Sequence, residues 1–433
     1  MICSFKFVSL LGIAAAAFAR NDGLANQQDA SARERQLLER IQQLEQRLTA
    51  IEARLPSPPA PAATPLQPQL TPTGDGQTLP GFASGTTLNF LLDGYYEYNF
   101  NRPVGRIDLL RPFDPGSNSF TLNQAVMMVE RAPDLSQGRR FGMRLDLMFG
   151  QTTESLSGSM ANELRTAPYR NIVQAYGTYV FPLGKGLNVD FGRFTSALGF
   201  EGTYPKDQLN YSRSLLFAAL PFYHMGFRTA YRLSDRATFS YLLVNGLNQM
   251  EDFNGFKSNH FMLSTTPAKS LSWTASYYFG QENRDLPPPA PRQEGRTHIA
   301  DTYLTWNLTR KLTLVGEGDY IASRLYSNSS PVHLAGGAAY ARYQFTPAFS
   351  LAGRFEYVSD RGGYLSGTTQ ALKEATATAV WQPADGFQLR WEYRHDYSNQ
   401  PYFLTSKPGL LKKEQNTALM GLLWWFGGKQ GAW

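Results

Sequence analysis

Charged side chains that alternate with apolar ones along extended segments are the residues of this sequence best suited to chemistry. Around Arg144 and Asp146, for example, every second position is apolar. Successive side chains of a β-strand point to opposite faces, so such segments have one apolar face and one charged face. An Arg or Lys facing lipid at mid-bilayer costs about 2–4 kcal/mol, so we expect the charged face to line a water-filled interior. The residues predicted to face this interior are Asp93, Glu97, Arg144, Asp146, Glu317, Asp319, Arg354, Glu356, Arg390, Glu392, Arg394 and Asp396.

These twelve residues carry both signs of charge. Strong ion selectivity needs a ring of one sign, so the mixture predicts a weakly selective interior. The alternative is that the side chains brace one another across strands as ion pairs, and both roles are compatible in a wide barrel.

Residues 196–222 form a connection too long for a hairpin turn. The segment contains the charged residues Glu201, Lys206, Asp207 and Arg213, followed by an apolar run at 215–221. We predict that this loop folds into the water-filled interior and narrows it, with those four residues at the constriction. The alternative is an extracellular cap packed on other loops.

The sequence gives little support for catalysis, metal binding or nucleic-acid binding. The five histidines are scattered and include no pair at metal-ligand spacing, and no G-x-S-x-G motif occurs. A catalytic Ser–His or Asp–His pair formed by residues of distant strands remains an alternative. The formal net charge is +6 without a basic run, and the one cysteine, Cys3, lies in the N-terminal segment. We therefore predict no catalytic residues, no metal, no cofactor and no nucleic-acid partner.

Alternating segments of about ten residues, the length of a tilted membrane strand, recur along the chain. After residue 20 no run of eighteen apolar residues occurs, so a helical membrane span is not predicted. The pattern predicts an all-β fold, a transmembrane antiparallel β-barrel of about 16 strands, with 14 or 18 as alternatives. The predicted strands lie near 86–100, 120–131, 140–150, 172–181, 187–195, 223–233, 237–246, 258–266, 271–281, 297–308, 311–323, 333–345, 349–359, 370–381, 387–397 and 413–426.

Short connections follow the even-numbered predicted strands and long polar connections follow the odd-numbered ones. Segment 233–237 is an example of the first kind and segment 196–222 of the second. Outer-membrane barrels have short periplasmic turns and long extracellular loops. The alternation therefore predicts that both ends of the barrel lie in the periplasm. Segment 132–139 follows an even-numbered strand but is longer than the other short connections.

The N-terminal part divides into four segments ahead of a barrel at 84–433. A basic residue, an apolar run and Ala17-Phe18-Ala19 predict a signal peptide at 1–19 and a short leader at 20–30. Apolar residues spaced 4, 3, 4, 3 and 4 predict a coiled-coil helix at 31–55, and a Pro-rich linker follows at 56–83. The predicted coiled-coil seam is Leu37, Ile41, Leu44, Leu48, Ile51 and Leu55.

The chain resembles the β-barrel porin-2 (OmpL-like) family of outer-membrane proteins. The resemblance rests on VDFGRFTSALGFE at 189–201, NYSRSLLFAALPFYHMGFRTAY at 210–231, LLVNGLN at 242–248 and LRWEYRHDYSN at 389–399, and it spans most of 84–426. It implies a passive or solute-selective channel and names no substrate.

We therefore predict a porin in the outer membrane of a Gram-negative bacterium, passing small hydrophilic solutes or ions by diffusion. The alternative is a structural barrel whose periplasmic coiled coil links the membrane to the cell wall. Expected partners are outer-membrane lipid and further copies of the chain, held by the coiled coil and the barrel wall. A trimer is favoured over a dimer because Leu and Ile are mixed at both seam positions. The alternative for 31–55 is a single amphipathic helix lying on its own protein.

Overall fold

The structure, a computed structural model, describes residues 85–157 and 165–429. The predicted signal peptide, leader, coiled coil with its seam, and Pro-rich linker all lie outside the described residues. The fold below is that of the barrel.

Sixteen antiparallel strands form one closed barrel. Each strand pairs with its neighbours in sequence, and the last long strand, residues 414–427, closes the ring by pairing with the long strand before it and with the first strand. The predicted strand number is thereby confirmed. The barrel strands are β1 (Thr87–Asn99), β2 (Ser119–Arg131), β3 (Phe141–Phe149), β4 (Ile172–Phe181), β5 (Leu187–Thr195), β6 (Tyr223–Ser234), β7 (Ala237–Val244), β8 (Ser258–Ala268), β9 (Leu271–Gly280), β10 (Thr297–Asn307), β11 (Leu312–Ser323), β12 (Val332–Thr346), β13 (Phe349–Arg361), β14 (Gln370–Ala384), β15 (Phe387–Ser398) and β18 (Glu414–Gly427).

Short turns meet at one rim of the barrel and long loops at the other. The longer turn between β2 and β3 contains a 3₁₀ turn, Leu135–Gln137, capped by the Asp134 side chain. The described parts of the loops hold two short α-helices, α1 (Thr152–Ser157) and α2 (Leu215–Ala219). The last loop holds a small hairpin of β16 (Phe403–Leu404) and β17 (Leu411–Lys412). The sequence did not predict these helices or this hairpin.

The two faces of the strands differ in chemistry, as period-two alternation requires. On β13, Phe355 and Tyr357 are 56% and 45% exposed, whereas Arg354 and Glu356 between and beside them are buried. An apolar, aromatic outer face with a polar inner face is typical of barrels that lie in lipid.

In the described parts of the chain, no helix combines the length and apolar character needed to cross a membrane.

The main apolar core lies inside the barrel, towards the long-loop rim. There α2 packs Leu215 and Leu216 against the inner wall, in one cluster with Ile321 and Val358. Leu216 lies over Gly336 of β12, where a side chain would collide with it. The wall is therefore shaped to receive the helix, and the helix belongs to the loop between β5 and β6.

At Gly192 on β5, the neighbouring strand approaches so closely that there is no room for a side chain. The φ of this glycine is +139°, and a Cβ at this position would lie 2.2 Å from the carbonyl oxygen of Ala175. Gly192→Ala should therefore lower the free energy of unfolding by about 1–3 kcal/mol. The measurement is urea unfolding in detergent micelles, followed by tryptophan fluorescence. Gly316→Ala on β11, where a Cβ meets nothing within 4 Å, is the matched control; equal stability of the two variants contradicts the prediction.

Candidate functional site: the barrel interior and its inward loop

The loop 196–222, called the inward loop below, crosses the interior to the opposite wall. It leaves β5 and returns at β6, yet its contacts include β13 and β14, which lie eight positions away in the ring of sixteen strands. Only a path through the interior joins inward-facing groups on opposite sides of a closed barrel.

Wall carboxylates accept hydrogen bonds from the backbone of the inward loop. The N–H groups of Tyr211 and Ser212 donate to the two oxygens of Glu392, at 2.6 and 2.9 Å. The N–H of Leu215, the first residue of α2, donates to Glu356 at 2.9 Å. Hydrogen bonds to ionised acceptors are about twice as strong as neutral ones, so these contacts fix the loop's path.

Wall guanidinium groups complement these contacts by donating to carbonyl oxygens of the same loop. Each of three arginines on β13 and β15 reaches a different carbonyl. The contacts are Arg354 to Ser212 at 2.8 Å, Arg390 to Asn210 at 3.2 Å and Arg394 to Arg213 at 2.5 Å. Between residues 210 and 215, backbone donors and backbone acceptors are thus both bonded to charged side chains of the wall.

Tyrosine hydroxyls attach the inward loop to β1 and β3. Tyr211 donates to Asp93 at 2.9 Å, and Tyr204 donates to Asp146. Asp93 also accepts from Asn123 of β2 at 2.8 Å. The loop is therefore held by a continuous arc of the wall that runs from β13 through the closure to β3.

Arg354 is the centre of the ionic contacts between loop and wall. Its guanidinium lies 2.7 Å from Glu201 of the inward loop, 2.9 Å from Glu374 and 3.5 Å from Glu356. The side chain of Arg354 is fully buried, and Glu201 is 2% exposed. Three carboxylates around one guanidinium give the cluster an excess of negative charge. Arg394, on β15 beside the strand of Glu374, partly offsets this charge and lies 3.9 Å from Glu374.

A second loop, 100–118, also enters the interior. Arg111 pairs with Glu97 of β1 at 2.6 Å and with Asp114 of its own loop, and it donates to Thr417 of β18 at 3.1 Å. Burial raises the pKa of Asp114, and the adjoining Arg111 guanidinium outweighs it, so the pKa lies below its usual value. The sequence did not single out Arg111 or Asp114, because irregular loops carry no periodicity that indicates which side chains turn inward.

The sequence of residues 85–426 matches the model of a family described as "Putative beta-barrel porin-2, OmpL-like". The chain belongs to this family.

Solved outer-membrane proteins share the fold at low sequence identity. The channel DcaP of Acinetobacter baumannii aligns with a TM-score of 0.53 and 14% identity, covering 80% of this chain and 100% of its own. The anion-selective porin of Comamonas acidovorans aligns with a TM-score of 0.53 and 9% identity over 79% and 99%. OmpT of Vibrio cholerae, in a trimer form, aligns with a TM-score of 0.51 and 10% identity over 79% and 99%. No curated protein matches the chain by sequence.

In this β-barrel porin-2 chain, all twelve charged strand residues predicted to face the interior are buried. Most contact the inward loop, the loop 100–118 or one another. Arg144, for example, pairs with Asp146 at 2.9 Å. The ion-pair alternative thus describes much of what these side chains do, and their lining of a solute path stays a prediction.

The structure separates the four charged residues of the inward loop. Glu201 reaches the wall through Arg354, and Arg213 donates to the carbonyl oxygens of Gly202 and Thr203 within the loop. Lys206 and Asp207 form a pair with each other at 2.7 Å. Three of the four therefore make contacts within the loop itself, and Glu201 contacts the wall.

Histidines that are scattered in sequence come together on the inner wall. His224 and His260 have ring centroids 6.4 Å apart, and the hydroxyl of Ser196 lies 3.3 Å from the His224 Nε2. The Nδ1 of His224 faces the carbonyl oxygen of Gly246 at 3.0 Å, which is the position that a carboxylate takes in a catalytic triad. This Ser–His contact therefore lacks the third group of a triad.

Removal of Arg354 should strongly destabilise the barrel, because Glu201, Glu356 and Glu374 would stay buried without their common partner. Arg354→Met should cost about 3–5 kcal/mol of unfolding free energy. Urea unfolding in micelles measures this. The control is Arg232→Met, whose side chain is 58% exposed and 3.8 Å from Asp235; it should change stability by less than about 0.5 kcal/mol. Similar losses in both variants contradict a central role for Arg354.

Proposed function

We propose that this chain is a porin that passes small hydrophilic solutes or ions by diffusion, along a path narrowed by the inward loop. The observation that carries the proposal is a loop anchored across the interior of a sixteen-stranded barrel. Barrels of 16–18 strands are wide enough to leave an aqueous channel. A loop that occupies part of this width restricts the passage to small solutes.

The paired charges of the interior support weak discrimination between cations and anions. Guanidinium groups and carboxylates alternate along β15, where Arg390, Glu392, Arg394 and Asp396 all face inward. Selective filters use rings of one sign. The proposal is therefore a size-limited channel rather than one specific for a charged solute.

Shortening the inward loop should raise single-channel conductance. Residues 203–214 include Tyr204, Tyr211 and Arg213, and replacing them with a Gly-Ser bridge removes the part that crosses to β1 and β15. We expect conductance in planar bilayers to increase at least about twofold, because more of the barrel's width becomes available to water.

The matched control is a deletion of 287–291 in the loop between β9 and β10, which should leave conductance unchanged. Unchanged conductance after removal of 203–214 contradicts the constriction. Wild-type protein that passes no current contradicts the porin and favours the alternative, a structural barrel that links the membrane to the cell wall.

The two ends of the barrel support the proposed orientation. β1 begins and β18 ends at the short-turn rim, where Lys429 donates its backbone N–H to Asn89 at 2.8 Å. Short turns face the periplasm in bacterial outer-membrane barrels. We propose that the chain lies in the outer membrane of a Gram-negative bacterium with its N-terminal coiled coil and its C-terminus in the periplasm.

We propose that the chain forms trimers through the heptad seam of residues 31–55 and through the barrel wall. Leu48→Asp, in the middle of the seam, should therefore lower the temperature at which trimers dissociate in mild detergent, with the barrel still folded. Light scattering coupled to gel filtration measures the mass. Thr49→Asp, one position off the seam, is the control. A monomeric wild-type protein contradicts the trimer, and equal behaviour of both variants contradicts the seam.

A further inference from the structure

Three carboxylates meet on the inner wall where β10 and β11 pair. Asp301 and Asp319 are direct partners across the two strands, and Glu317 lies two residues before Asp319 on the same face. One oxygen from each of the three lies within 4.8 Å of the others. The exposed fractions are 3%, 8% and 5% for Asp301, Glu317 and Asp319. Of these, the sequence singled out Glu317 and Asp319.

Among the described residues, two of the three carboxylates have no cationic partner and no well-formed hydrogen bond. Neither oxygen of Asp301 and neither oxygen of Asp319 receives a hydrogen bond of good geometry, although the Gly199 N–H and the Ser276 hydroxyl lie close to Asp301. Glu317, in contrast, accepts from the backbone N–H of Phe200 at 2.8 Å and from the Tyr340 hydroxyl at 3.0 Å. In residues 85–157 and 165–429, no Lys or Arg forms an ion pair with any of the three.

This arrangement is unfavourable as it stands. Like charges directly opposite each other in a sheet destabilise it, and a buried carboxylate without a partner costs several kcal/mol. Elsewhere on the same wall, buried carboxylates are matched by Arg111, Arg354 or Arg394. Other buried wall carboxylates without a cationic partner, such as Asp93 and Glu392, accept well-formed hydrogen bonds. The lack of both at Asp301 and Asp319 therefore indicates a ligand.

We propose that Asp301, Glu317 and Asp319 bind a divalent cation, Ca²⁺. Carboxylate oxygens are the ligands that hard cations prefer, and Ca²⁺ tolerates irregular sets of six to eight oxygens completed by water. A fourth oxygen is near, because Ser276 of β9 pairs with Asp301, and its buried hydroxyl lies beside that carboxylate without forming a hydrogen bond of good geometry. The residues thus form a row of oxygen ligands across β9, β10 and β11.

The bound cation would strengthen the attachment of the inward loop to β10 and β11, against which it also packs through apolar contacts. Glu317 holds the N–H of Phe200, and a Cβ on the preceding Gly199 would lie 3.2 Å from its carboxylate. Calcium at the three carboxylates keeps Glu317 ionised and in place as this acceptor. The site goes beyond the proposed function and does not depend on it, since a structural barrel could bind the ion equally well.

Calcium binding is tested on the full-length folded protein in detergent, first stripped with EDTA. Adding millimolar CaCl₂ should raise the thermal unfolding midpoint by about 5 °C, and calorimetric titration should show one saturable site per chain. Asp319→Asn should weaken binding at least tenfold and remove the calcium-dependent rise. Its midpoint in EDTA should exceed that of the wild type, because one of two opposed charges is gone.

Asp385→Asn, an exposed turn carboxylate far from the cluster in sequence, is the control and should keep the full calcium response. Asp301→Asn provides a second variant if Asp319→Asn does not fold. The site is refuted if wild-type protein neither binds nor is stabilised by Ca²⁺, or if the Asn variants respond as the wild type does. Stabilisation by acid pH without any calcium response also overturns it, since the carboxylates would then share protons.

Discussion

The hydrogen-bonding needs of the backbone in lipid determine the rest of this structure. An unpaired N–H or C=O in the hydrocarbon core costs several kcal/mol, so a sheet that spans the membrane must have no free edge. β18 meets this requirement by pairing with β15 on one side and β1 on the other. Sixteen strands closed in this way enclose more space than wall side chains fill. The remaining space is occupied by water or by chain, and here the inward loop takes part of it.

Placing a loop in that space creates a problem of charge. The barrel wall has an apolar outer face and a polar inner face. The loop removes many of the polar groups on the inner face from water. Each buried charge must then find a partner, and Arg354 with Glu201 and Glu374 shows how the chain provides one. Such clusters add little net stability compared with an apolar contact of equal volume. In the observed position of the loop, Glu201 and Glu374 both reach Arg354, so these ion pairs help to define where the loop lies.

The strands were predictable, and the contacts of the loops were not. Predicted strand ends agree with the structure within about three residues, because alternation and turn residues are local signals. The helix α2 and the β16–β17 hairpin depend on contacts with the inner wall and the other loops, so no local sequence pattern predicts them. Asp301 could have been found from the sequence: the short turn between β10 and β11 sets the register that pairs it with Asp319. The burial of Arg394 could not, because it results from a loop almost 200 residues away.

The inward loop contains two acidic and two basic residues, Glu201, Asp207, Lys206 and Arg213, so its formal charge is zero. A voltage across the membrane acts on charge, at about 2.3 kcal/mol per elementary charge per 100 mV for full transit. On a neutral segment the forces cancel and only a torque remains, which the wall contacts from β13 to β3 resist. The inward loop is therefore electrically neutral as well as anchored to the wall. A membrane potential exerts no net force that would displace it.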